Sequence, residues 1–368
     1  MSDMSRRRLN FGLDRFSGFY LLAVFIIVFG IWSPGIFLTM STVHLLASTQ
    51  AVAGIIAIAA LIPLICGQFD LSVGATANLT GLIAVVVQAN DGWSVGPAIL
   101  LTIGIAIIIG LANALIVIRF NVNSFIATLG MSSVLSAFAV IVTNSQSPPV
   151  VASAAWNNLT QYKIFGFQVI IYYLLAFALI AWWVLEHTPV GRYMRATGGN
   201  SEAARLSGIP VKKLTCWSLV ASSALAGVGG VLYTSLTGPS LTFGSTLLLP
   251  AFAAAFLGST QLQPGRFNVW GSLIAIFVLA TGVEGLELVV SGAQWLSEMF
   301  NGVALIVAVA LAASRQGKSL RRWRRMRGGD AGPGGGRRVL SAERPDVQAE
   351  LTEPASLTAP SQDRQDFV

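Results

Sequence analysis

Long unbroken apolar runs dominate this chain, and nothing constrains its fold more. A helix crossing the hydrocarbon core of a bilayer needs about 20 apolar residues. Stretches at Phe16–Phe37, Val43–Ile65, Val95–Ile118, Phe125–Val142, Phe167–Leu185, Leu214–Leu236, Val269–Val290 and Trp295–Ala313 meet that need. Leu71–Gln88 is a weaker run that carries Asn78 and several small polar residues, and Leu247–Leu257 is short and broken by Pro250. Only 11% of the 368 residues are charged, against about 25% in soluble domains. Too little polar surface exists to cover a water-soluble globule. The expected fold is all-α: a polytopic membrane protein of about ten transmembrane helices, one or two of them short or broken.

Charge placement sets the orientation. Arg6, Arg7, Arg8 and Arg15 precede the first run, and Arg192, Arg195, Arg205, Lys212 and Lys213 fill the loop 186–213. Arg315, Lys318, Arg321, Arg322, Arg324, Arg325 and Arg327 follow the last run. The positive-inside bias puts all three in the cytoplasm, and two cytoplasmic ends require an even number of crossings. Counting both weak segments gives ten and places Arg119 and Arg266 inside as well. Arg6–Arg8 ahead of Phe19–Trp32 has the look of a signal peptide, but no small-residue cleavage site follows and Ser33-Pro34-Gly35 reads as a turn. The first run is therefore expected to be an uncleaved crossing. Residues 1–15 are read as a cytoplasmic N-terminus and 16–313 as the membrane domain. Residues 314–368, with Gly328–Gly336 and a Glu-, Asp-, Pro- and Ser-rich end, are read as a disordered cytoplasmic tail. Its basic start is a stop-transfer anchor beside membrane lipid. The net charge of +7 thus serves topology, and no nucleic-acid partner is expected.

An enzyme finds little material here. His44 and His187 fall on opposite sides of the membrane as interfacial residues. No His-Glu-x-x-His or Gly-x-Ser-x-Gly spacing occurs, so neither a metal nor a serine nucleophile is expected, and no cofactor is implied. Cys66 and Cys216 are distant and read as small core residues. Ala312–Ser319 nearly spells a phosphate loop, but that loop works only between a buried strand and a helix. Any ATP-driven work must come from a separate subunit.

Polar residues in the apolar context are the better leads. Asp70 and Ser72 lie in Gly67–Gly74, a short polar break between two runs; Asp70 either caps the following helix or serves a pathway. Glu284 and Glu287 stand one helical turn apart near the outer end of a run, facing a pathway or the interface. Phe125 and Thr128 open one span, and Asn144 and Gln146 leave it on the outer side, where they suit recognition of a neutral polyol or simply a polar loop. Ser223/Gly227 and Ala226/Gly230 are four apart, the spacing that lets helix backbones approach in lipid. Residues 198–210 predict a short polar helix: Asn200 or Ser201 caps it, Glu202 sits in the first turn, Gly208 stops it and Pro210 forbids its continuation.

Four motifs together resemble the permease subunit of a bacterial ABC sugar importer, the group containing the ribose permease. They are Gly-Gln-Phe-Asp-Leu-Ser-Val-Gly at 67–74, Phe-Ile-Ala-Thr-Leu-Gly at 125–130 with Thr-Asn-x-Gln at 143–146, Gly-Gly-Asn-x-Glu-Ala-Ala-Arg-Leu-Ser-Gly-Ile at 198–209, and Leu-Gly-Ser-Thr at 257–260. The chain departs from that family's pattern where Gln68-Phe69 replaces Gly-Ile and where Asn123-Ser124 replaces a common proline. The resemblance implies a coupling helix at Glu202, Ala203, Ala204, Arg205 and Gly208. It implies a second permease subunit (identical or related), ABC ATPase subunits gripping the coupling helices, and an extracytoplasmic solute-binding protein that delivers cargo. The function it implies is import of a monosaccharide or similar small polar solute across the bacterial inner membrane by alternating access. The competing reading is a stand-alone secondary transporter or facilitator, which has no use for a coupling helix.

Overall fold

The computed structural model describes residues 17–151, 153–290 and 295–328, with side chains as far as residue 312. The chain divides into two compact units, Met1–Leu320 and Arg321–Val368; the first holds everything that follows, and in the second the described residues are the helical ones up to Gly328. Among the described residues, fourteen helices run in the order α1 (Ser17–Trp32), α2 (Pro34–Phe37), α3 (Met40–Ile65), α4 (Val73–Ala89), α5 (Val95–Arg119), α6 (Ser124–Val142), α7 (Ala154–Gln161), α8 (Val169–His187), α9 (Pro189–Gly199), α10 (Ser201–Leu206), α11 (Val211–Thr237), α12 (Phe243–Gly258), α13 (Val269–Val289) and α14 (Trp295–Gly328). A two-residue hairpin, β1 (Lys163–Ile164) with β2 (Phe167–Gln168), precedes α8. Helix dominates because a backbone in lipid must satisfy its own hydrogen bonds.

Among the described residues, seven helices are long and apolar enough to cross a membrane, namely α3, α5, α6, α8, α11, α13 and the first part of α14; α1, α4 and α12 are shorter apolar helices. These correspond to the ten segments expected from the sequence, with three changes. The run Phe16–Phe37 divides at Ser33, because Pro34 at the first position of α2 starts a new helix. The segment expected at Leu247–Leu257 is a 16-residue helix from Phe243 that continues through Pro250; at 1.5 Å per residue it is about 24 Å long, short of a straight crossing of about 30 Å. The backbone beyond Ser314 does not leave the helix where the tail was expected to begin. It stays helical to Gly328, passing through Gly317, since Arg and Lys are good helix formers and no Pro intervenes. The expected disorder after 328 and the N-terminal segment 1–15 lie outside the described residues.

Apolarity alone does not sort these helices into inner and outer ones, because lipid is as apolar as leucine. Small residues do. α3 and α11 have 67% of their apolar windows buried, whereas α6 and α14 have 17%. α3 carries a run of buried residues from Ala51 to Leu61. α11 presses on its neighbours through glycines: a Cβ at Gly230 would lie 1.9 Å from Ala77 O in α4, and one at Gly227 would lie 2.6 Å from Ala106 Cβ in α5. The spacing read at Ser223–Gly230 is thus a packing seam. Leu100, Ile108, Ile126, Ile141, Ile180 and Ile306 project outward from α5, α6, α8 and α14.

Candidate functional site

One end of the bundle carries a polar element on the surface. α8 ends at His187, α9 follows after one residue, and α10 follows after Asn200. Asn200 serves both of its neighbours. Its N–H closes the last turn of α9 on Ala196 O at 3.1 Å, and its Oδ1 accepts from Glu202 N at 3.1 Å and Ala203 N at 3.0 Å. That is the N-cap expected of Asn200. At the other end, Gly208 adopts φ +81, Gly208 N donates to Arg205 O at 3.0 Å and Ile209 N donates to Ala204 O at 3.0 Å. This pair of bonds is a Schellman stop, which needs a left-handed residue at that position. α10 is short but closed at both ends.

Its faces differ. Ala204 is buried against the bundle, whereas Glu202, Ala203 and Arg205 are exposed. Arg205 clasps Glu202 through Nε at 3.2 Å and Nη2 at 2.5 Å. That hydrogen-bonded guanidinium holds the Glu202 carboxyl below the usual carboxylate range. Water screens a pair this open, so it contributes little to stability and mainly orders two side chains. Leu206 is 77% exposed, an apolar residue on an otherwise polar helix. Behind α10, Arg195 of α9 donates to Leu185 O at 2.7 Å and pairs with Glu186, which ties α9 to the end of α8.

The second focus is the break between α3 and α4. Pro63 lies in the last turn of α3, and Gly67 turns the chain at φ +73. Asp70 is fully buried; its Oδ1 accepts from Ser72 N at 3.1 Å and from Ser72 Oγ at 2.6 Å. Ser72 occupies the N-cap position of α4 without a side-chain cap bond. Asp70 therefore folds the turn rather than capping the helix in the usual way. Asn113 of α5 donates to Ser72 Oγ at 2.8 Å, and Ser222 of α11 lies near the Asp70 carboxyl without meeting hydrogen-bond geometry. Asp70 Oδ2, Thr76 Oγ1, Asn113 Oδ1, Ser222 Oγ and Ser223 Oγ are buried without a hydrogen-bond partner.

The break is also fastened to the start of α6. Phe69 N donates to Ser124 Oγ and Leu71 N to Thr128 Oγ1, each at 3.0 Å. The Phe69 ring lies 6.0 Å from Phe125, edge on, and is stacked 6.5 Å from both Phe252 and Phe256 of α12. Asp70, Ser72, Phe125 and Thr128 thus form one neighbourhood. Asn144 and Gln146 are exposed at the far end of α6, about 28 Å from Phe125 along a helix rising 1.5 Å per residue. Asn144 and Ser145 have φ of 49 and 62, a tight left-handed turn beyond α6. Glu284 is half-buried and Glu287 exposed on α13, beside the Gly285–Phe29 contact with α1; among the described residues neither has a hydrogen bond or ion pair. The sequence reading missed Asn113 and Ser222, and noted Phe69 and Ser124 only as departures from a family pattern. Asn113 had a visible signal, as an amide inside the run Val95–Ile118. Among the described residues no three His, Cys, Asp or Glu side chains group to hold a metal ion, and residues 312–319 continue the helix α14 without the strand a phosphate loop requires.

A bundle of long apolar helices that keeps a polar break inside and carries a capped polar helix at one end has the make-up of a membrane transport subunit. The chain belongs to the family described as the branched-chain amino acid transport system / permease component, whose model matches residues 42–309. It is similar to the ribose import permease protein of Haemophilus influenzae (29% identical, covering 84% of this chain and 97% of that protein). It is also similar to the ribose import permease protein of Escherichia coli strain K12 (31%, covering 80% and 92%) and to the fructose import permease protein of Rhizobium meliloti (26%, covering 79% and 83%). No solved structure matches it. The chain is a transmembrane permease subunit, a multi-pass membrane protein that does transport rather than enzymatic work.

Proposed function

We propose that this chain is the permease of an ATP-driven importer for a monosaccharide or a similar small polar solute, working by alternating access in the bacterial inner membrane. The observation that carries this reading is α10: a helix of six residues, closed by Asn200 and Gly208, set with the short helix α9 between the long apolar helices α8 and α11. A fragment that short is not stable by itself in water, so two caps and a docked Ala204 signify a fixed shape offered to a partner. The partner is an ABC ATPase, gripping Glu202, Ala203, Arg205 and Gly208 with Ala204 as the inner anchor. The names of the relatives, importers of ribose and fructose, support the sugar class. The permease works with a second copy or a related chain and receives solute from an extracytoplasmic binding protein. Ten crossings with both termini in the cytoplasm put α9 and α10 inside the cell, where ATP is.

Within the membrane, the neighbourhood of Asp70, Ser72, Phe125 and Thr128 belongs to the inner part of the pathway. Asn144, Gln146, Glu284 and Glu287 belong to its outer part. Aromatic faces such as Phe69 and Phe125 suit the C–H faces of a sugar ring. The experiment is reconstitution in proteoliposomes with and without the cognate ATPase, using labelled D-ribose, D-fructose and D-allose. Uptake of at least one sugar that requires both ATPase and ATP is expected. Uptake that persists unchanged without them overturns the reading in favour of a facilitator.

A further inference from the structure

The coupling element meets the broken helix at a place where neither has a side chain. Gly198, in the last turn of α9, faces the end of α3: a Cβ built on it would lie 2.2 Å from Ile65 O and 3.0 Å from Gly67 N. From the other side, a Cβ on Gly67 would lie 3.2 Å from Gly198 Cα. Gly198 has an ordinary φ, so the neighbouring backbone, not the conformation of Gly198, excludes a side chain there. The next residue, Gly199, would place its Cβ in open space.

We infer that the Gly198–Gly67 contact is the point through which α9 and α10 drive the α3–α4 break, an inference that rests on the ATP-driven reading above. Rotamer changes absorb displacement where side chains meet; here backbone meets backbone and nothing yields. Asn200 joins α9 to α10 as a single stiff elbow, so a push on α10 arrives at Gly198. Gly67 begins the turn whose amides are held by Ser124 and Thr128, whose Ser72 is held by Asn113 and whose Phe69 stacks on α12. Moving that turn therefore pulls on α4, α5, α6 and α12 together. Gly198 and Gly67 act as positioning residues, through the groups beyond them.

The test uses the full permease assembled with its ATPase, with Cys66→Ala and Cys216→Ala to remove native thiols and Gln68→Cys in the break as the site of maleimide labelling. In this parent, trapping with ATP and vanadate is expected to change the labelling rate by about fivefold, the low end of ordinary allosteric coupling. Gly198→Ala is expected to leave ATPase binding and hydrolysis in place while abolishing that change; Gly199→Ala is expected to keep it. A purely structural defect would lower assembly and hydrolysis together and would not separate them. Should Gly198→Ala fail to assemble, Gly67→Ala, whose contact with Gly198 is looser but whose φ of +73 adds backbone strain, is expected to assemble with a reduced change. The inference is overturned if the Gly198→Ala or Gly67→Ala break responds like the parent, if Gly199→Ala loses the response, or if the parent break does not respond while uptake is ATP-driven. The failure of ATP to drive uptake in the unmodified protein would instead remove the functional reading itself.

Discussion

The side-chain amide of Asn113, in the middle of an apolar helix, donates to the hydroxyl of Ser72 at 2.8 Å, while that hydroxyl donates to Asp70. One chain of bonds thus ties α5 to the turn between α3 and α4. All three residues are fully buried. A polar side chain at that depth has no water to fall back on, so its partner fixes where the helix can sit. Interhelical hydrogen bonds in membranes are worth about 1 kcal/mol, so Asn113→Ala should lower the midpoint of thermal unfolding in detergent modestly. Asn113→Asp should lower it further, because it replaces the donor with a carboxyl beside the buried Asp70. An Asn113→Asp protein as stable as the wild type would contradict this account of the site.

Gly208 makes a sharper prediction. Its φ of +81 suits glycine, and a Cβ there would touch nothing within 4 Å. The cost of substitution is therefore conformational, about 1–2 kcal/mol for an ordinary L-residue forced into the left-handed region, and greater for a β-branched one. Gly208→Val should insert normally yet lose most ATP-dependent uptake, because the Schellman stop opens and α10 turns out of register. Gly208→Asn should retain most activity, since asparagine tolerates that region. Equal activity of the valine variant, with normal coupled hydrolysis, would show that the stop has no part in coupling.

Much of this was readable from residues alone, and the exceptions have physical causes. The caps of α10 are local chemistry, and Asn200, Gly208 and Pro210 announced them. The apolar runs gave the helices because the bilayer imposes one period and one length. What the sequence left open were the properties set by packing. Pro250 was read as a break, yet α12 passes through it. Phe69 and Ser124 looked like departures from a family pattern; in space they meet, with Ser124 accepting the Phe69 N–H. Gly198 gave no sign of its role, since a contact with Ile65 and Gly67 is a relationship across more than a hundred residues of chain.

Leu206 carries a prediction about the partner. It is 77% exposed at the end of α10 while Ala204, two residues earlier, is buried. An apolar side chain presented on a rigid surface helix is the kind of anchor that fills a pocket on another protein. Fully burying a leucine side chain is worth about 1.5–3 kcal/mol, which is about tenfold or more in affinity. Leu206→Ser should leave the permease folded and inserted but weaken ATPase association about tenfold in a titration of purified components. Unchanged association would place the grip on Glu202, Ala203 and Arg205 alone.

Glu284 offers the test of the outer pathway. It is half-buried on α13, one turn before the exposed Glu287, and among the described residues no cation or donor neutralises it. Such a carboxylate is expensive near hydrocarbon unless it faces water or a solute. If it faces the pathway, its oxygens accept hydrogen bonds from sugar hydroxyls. Glu284→Ala should then raise the solute concentration for half-maximal uptake, while the amount of protein in the membrane stays the same. Glu284→Gln keeps one acceptor oxygen and should fall between the two, whereas a residue that only touches the lipid interface would change neither constant. Uptake curves for all three proteins that superimpose would move Glu284 out of the pathway and leave Asn144, Gln146 and Glu287 as the candidates for its outer part.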